Sequence, residues 1–102
     1  MVKAKPPAYL SPKAKSIFSS VVTLFPKPSA LELELLAAYA HEKAVYEESL
    51  EWINENGTVL LQRTEKGEVK AAIEAPQVKI SEKARDAFIR IGRELRLDKR
   101  GE

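Results

Sequence analysis

The chain has no cysteine and a single histidine, His41. The first absence excludes a disulfide framework and any thiolate chemistry, whether metal-binding or redox. The second leaves no imidazole pair for a metal cluster or a catalytic relay within one chain. Gly57, Gly67, Gly92 and Gly101 stand far apart, so neither a Walker-type nor a dinucleotide-type phosphate loop can be assembled. No apolar run reaches the roughly 18 residues of a membrane span, and no signal-peptide architecture is present. The expectation is a soluble protein inside the cell, away from membranes. Met1 at the start suggests a nearly complete product. No period of roughly 20–50 residues repeats. Glu47, Glu48 and Glu51 are acids without pocket-forming sequence around them and read as a solvated helix face. We therefore expect no catalytic residues, no metal site and no cofactor.

What is present is dominated by one stretch, Ser29 to Gly57. Ser29 followed by Glu32 is a capping box, and Pro26 and Pro28 keep the preceding chain from running into the helix. Asn56-Gly57 supplies a left-handed stop. Ala, Leu and Glu fill the interior without Gly or Pro, which favours a continuous helix. Residues 29–56 would then span roughly 42 Å. A compact domain of this length has a radius of gyration of only about 13 Å. Two apolar stripes run along this helix: Leu35, Tyr39, Tyr46, Leu50 and Ile53 on one side, Leu31, Ala38, Val45 and Trp52 on another, with Leu36, Ala40 and Ala44 flanking. A surface helix needs one stripe. Two point to contacts with the chain's own core and with a neighbouring subunit.

With 102 residues the chain makes one domain with a thin core. Residues 1–10 read as a basic arm, 11–97 as a single helical domain and 98–102 as a tail. Ser11-Pro12 starts a short helix running to about Leu24, with Ala14, Ile17, Phe18, Val21 and Leu24 at helical spacing. After Gly57 the period changes to two. Val59 and Leu61 alternate with Leu60 and Gln62. Beyond a Glu-Lys-Gly turn, Val69, Ala71 and Ile73 alternate with Lys70 and Ala72, predicting a hairpin over 58–74 that Pro76 ends. Ser81 is expected to cap a last helix with Ala84, Ala87, Phe88, Ile91 and Leu95 on one face. The fold class is mainly α with a β-hairpin (α+β).

Charge is segregated although the net charge is only +2. Residues 1–27 hold five lysines and no acid, 28–57 hold seven glutamates against Lys43, and 79–102 hold eight basic and five acidic groups. Basic ends suit a polyanion partner or pairing between unlike segments. Lys3 and Lys5 in the arm, and Lys13 and Lys15 in the first helical turn, are candidates for phosphate contact. Lysines there oppose the helix dipole. Arg90, Arg93 and Arg96 form a second basic stripe, joined by Arg100 if the helix continues that far. A short helix, tight turn and second helix meet the minimum for a helix-turn-helix. Glu32 and Glu34 open the second helix, however, and make it a poor reader of bases.

Pro7-Ala8-Tyr9-Leu10-Ser11-Pro12-Lys13-Ala14-Lys15 opening a helix, Leu35-Leu36-Ala37-Ala38-Tyr39-Ala40 inside a long one, a Gly57-led hairpin, Pro76 and a closing Arg-rich helix ending in Leu95-Arg96-Leu97 follow in order. This layout resembles the small subunit of tailed-phage and prophage terminases over about residues 6–97. The chain departs from the family pattern at Phe18, often Trp; at Ala30, near which an Asp is usual; and at Arg96, where the family carries Gly before Leu-Thr-Pro. The resemblance implies a non-catalytic DNA-recognition factor that assembles into rings. Such a factor binds double-stranded viral DNA at the packaging-initiation site and recruits and regulates the terminase large subunit, an ATPase-nuclease, in the host cytoplasm. Lys3, Lys5, Lys13 and Lys15, then Arg90, Arg93 and Arg96, are the DNA-binding candidates on this reading. Leu31, Tyr39, Val45, Tyr46, Leu50 and Trp52 are the candidates for packing in a homo-oligomer. Two other readings fit the same residues: a dimeric helix-turn-helix regulator, and an adaptor that uses the acidic long helix.

Overall fold

The computed structural model describes residues 5–97. The order is α1 (Pro12–Val22), α2 (Ala30–Asn56), β1 (Val59–Arg63), β2 (Val69–Glu74) and α3 (Pro76–Glu94), a mainly helical fold with one hairpin. Local chemistry sets most boundaries. Ser11 Oγ accepts from the Ala14 N–H at 3.2 Å, with Pro12 at the first helical position. The helix closes at Val22, two residues short of the expected end. Leu24 and Phe25 bond back three residues in a tighter turn, which tucks Phe25 into the core.

α2 is continuous for 27 residues, about 40 Å, and both bonds of the Ser29–Glu32 capping box form, at 3.1 and 3.0 Å. At its end the Gly57 N–H donates to the Ile53 carbonyl, and Asn56 Nδ2 donates to the Trp52 carbonyl at 3.0 Å. Gly57 has φ +86° but ψ 175°. It therefore does not wrap back as a left-handed cap; it swings the chain straight into β1. The molecule measures 64 × 24 × 21 Å with a radius of gyration of 17.9 Å, well beyond a compact domain of this length. Among the described residues no helix is long and apolar enough to cross a membrane.

The core lies between α1 and α2. Ala14, Phe18 and Val22 meet Leu36, Ala37, Ala40 and Ala44, with Leu10, Phe25 and Leu95 closing the cluster. Phe18 and Leu36 are the largest fully buried side chains. Burying each is worth about 1.5–3 kcal/mol. Facing them with alanines lets the helices approach closely, so a small core is still densely filled. α3 packs on a different side of α2, where Phe88 sits against Tyr39 (centroids 5.9 Å apart, edge-on) and Tyr46 (5.3 Å).

Two expectations are corrected. Ser81 does not cap α3. The helix begins six residues earlier, at Pro76 with Ala75 as the preceding extended residue, and Ser81 is buried within it, donating to the Val78 carbonyl at 2.7 Å. Pro76 thus opens the helix as well as stopping the strand, because its fixed φ and missing N–H suit a first helical position. Nor does the helix carry Arg96: α3 ends at Glu94, and Arg96 turns to φ +55°.

The hairpin pairs Val59 with Glu74, Leu60 with Ile73, Leu61 with Ala72 and Gln62 with Ala71. An irregularity after Gln62 then sets Arg63 opposite Val69, taking Val69 out of step with Ile73. The turn closes with the Gly67 N–H on the Thr64 carbonyl at 2.9 Å and Gly67 at φ +84°, the left-handed position expected of it. Val59, Leu61, Val69 and Ile73 remain exposed; the ribbon's extensive contacts are internal.

Candidate nucleic-acid and assembly surfaces

The three helices divide α2 into three faces. At 100° per residue, Leu36, Ala37, Ala40 and Ala44 point to α1, and Tyr39 and Tyr46 point to α3. The remaining third carries Leu31, Ala38, Val45 and Trp52 at intervals of seven, with Glu34, His41, Glu48 and Glu55 interleaved at the same interval. Leu31 is 65% exposed, Val45 and Trp52 are half-buried, and the other five are exposed.

The six residues expected at a subunit interface therefore separate. Leu31, Val45 and Trp52 lie on the open face. Tyr39 and Tyr46 are engaged inside the chain by Phe88, and Lys43 Nζ sits 5.8 Å from the Tyr39 ring centre. Leu50 is at the margin, 37% exposed. Phe88 joins both tyrosines, a role its own helical spacing did not disclose, since periodicity identifies a buried face but not its partner. Gly92 lies beside the Tyr39 ring; a Cβ there would sit 3.4 Å from it, in van der Waals contact. Beside it is an open hollow of about 300 Å³ lined by Tyr39, Phe88, Ile89, Gly92, Arg93 and Leu97.

The basic candidates separate too. Lys3 and Arg100 lie outside the described residues. Lys5 is exposed and Lys15 half-exposed on α1. Lys13 Nζ donates to Glu51 Oε1, an ion pair across 38 residues that ties the start of α1 to the far part of α2. That hydrogen bond, reinforced by the charges of Glu51, Glu47 and Glu48, raises the Lys13 pKa above the ordinary lysine value. Glu51, read from sequence as part of a wet face, is thus a partner; a pairing so distant in sequence leaves no local signal. Arg90 and Arg93 are exposed on the outer side of α3, and Arg96 is exposed beyond its end. Ion pairs among the described residues join Lys13 to Glu51 and Arg85 to Asp86. Among those residues no three of His, Cys, Asp and Glu gather as a metal site.

These surfaces define an elongated helical unit whose outer faces are charged and partly apolar. No protein-family model, curated protein or solved structure matches the chain.

Proposed function

We propose that this protein is a non-catalytic, oligomeric DNA-recognition factor of the terminase small-subunit type. It assembles on double-stranded DNA in the host cytoplasm and delivers it to a large ATPase-nuclease subunit. The observation that carries this reading is the third face of α2. A helix of about 40 Å holds a seven-residue apolar repeat whose Leu31 and Ala38 its own chain leaves exposed and whose Val45 and Trp52 it covers only in part, and exposed apolar surface of this kind marks an interaction site. A second feature supports the resemblance. Arg96, where the terminase pattern carries Gly, is the described non-glycine residue with positive φ (+55°), a conformation that favours glycine.

Assembly would multiply a modest basic surface. Lys5 and Lys15, with Lys3 in the arm, give each copy a few phosphate contacts, and many copies bind DNA together through avidity. Lys13 contributes only when released from Glu51. The Lys13–Glu51 pair also favours the adaptor reading, since it brings the start of the basic segment against acids.

Light scattering and DNA binding across a salt series test the proposal. A mass of many copies with steeply salt-dependent binding is expected. A dimer would favour the helix-turn-helix regulator, and a flat salt response would favour the adaptor.

A further inference from the structure

We infer that the open face of α2 in one copy receives the outer face of α3 from a second copy of this chain, which makes Arg90 and Arg93 assembly residues. The inference rests on the oligomeric reading above and assigns its interface. Three observations carry it.

The first is charge. Glu34, Glu48 and Glu55 stand along the open face of α2, all exposed. The third of α3 opposite Ala84 and Phe88 carries Lys79, Lys83, Arg90 and Arg93, also exposed and with no acid paired to them among the described residues. Faces of opposite sign on one molecule steer copies together and fix their register.

The second is the apolar content of both faces. Ile89 is 39% exposed at the margin of the basic third of α3, where that face meets the hollow against Tyr39. An isoleucine between arginines gains nothing from a phosphate backbone, whereas Val45 and Trp52 offer it an apolar seat between glutamates. Glu82 and Asp86 share the basic face. They would repel DNA and the glutamates of α2 alike, so the contact centres on Arg90 and Arg93.

The third is that the two faces are different. A contact between unlike surfaces, unless two copies exchange it reciprocally, is heterologous and propagates around a ring or along a filament. That agrees with the assembly the proposed function needs.

The test uses the full chain and charge reversal. Glu48→Arg with Glu55→Arg, and separately Arg90→Glu with Arg93→Glu, should each weaken association at least tenfold by light scattering. Circular dichroism should remain helical. Mixing the two variants should restore association, because each supplies the complement of the other at one interface. Trp52 is the only tryptophan, so its emission gives a second readout. In the wild type it should shift to the red on dilution as the mass falls. Mass unaffected by either reversal overturns the inference. So does disruption that mixing fails to repair while both variants stay helical, or Trp52 emission that ignores dissociation. A wild type that is monomeric at working concentration overturns the oligomeric reading itself, which separates the two failures.

Discussion

Arg96 sits at φ +55° directly after Leu95, whose side chain is in the core and whose N–H bonds to the Ile91 carbonyl at 3.0 Å. The left-handed turn lets the chain leave α3 while Leu95 stays buried, and it costs an L-residue about 1–2 kcal/mol. Arg96→Gly removes that cost and adds some unfolded-state freedom. We predict a net stabilisation of about 0.5–1 kcal/mol, read as a higher midpoint in urea; a lower midpoint would show that the Arg96 side chain holds the turn. Lys13 makes a second prediction at this scale. Its pKa is raised in the folded state, chiefly by donation to Glu51. The pair's contribution is therefore fully present at neutral pH and persists up to the ordinary lysine value. It is lost as pH climbs through the raised value, where the folded protein's Lys13 also deprotonates. Lys13→Met should melt slightly below wild type at pH 7, and the gap should close in strongly alkaline buffer. Because the site is exposed to solvent, the gap should also narrow in high salt.

At the scale of elements, stability is uneven. α2 is secured by its capping box and by packing on two sides, and Ser29→Ala should cost about 1 kcal/mol, measurable by denaturation. The hairpin has neither advantage. Two strands alone are marginal in water, and Val59, Leu61, Val69 and Ile73 face solvent. Amide exchange should therefore be fast across 59–74 and slow across the Leu36–Ala44 stretch of α2; protection of the strands would mean that assembly covers them. The contrast explains what could be read in the sequence. Ser11-Pro12, Ser29 with Glu32, and Gly67 act through bonds to residues three or four positions away, so their pattern is local and visible. Ala75 has no side-chain capping group and Ser81 looks like one, so the start of α3 was hidden. The irregularity after Gln62 was hidden too, because alternation alone does not record an unmatched residue. The two stripes on α2 were legible. That the tyrosine-bearing one turns inward to Phe88 depends on how α3 returns, and no local signal encodes that.

The chain is acidic along α2 and basic in the segments before and after it, and those two segments meet beside α2, where Leu10 and Leu95 share one core. On the proposed reading, DNA binding draws on lysines before and within α1, and assembly draws on the glutamates of α2 and the basic face of α3. Replacing Lys3, Lys5, Lys13 and Lys15 together with Ala should then reduce the slope of log affinity against log salt by about 0.9 for each phosphate no longer neutralised, while the mass by light scattering stays that of wild type. Within that set the effects should be unequal. Lys15→Ala should cost more of the slope than Lys13→Ala, because Lys13 must first give up Glu51. Glu51→Gln should steepen the slope by freeing it. If the fourfold change leaves binding untouched, the phosphate contacts lie elsewhere on the molecule. If it lowers the mass instead, the lysines belong to the assembly surface, and the division of labour between the N-terminal lysines and the α2 and α3 faces is wrong.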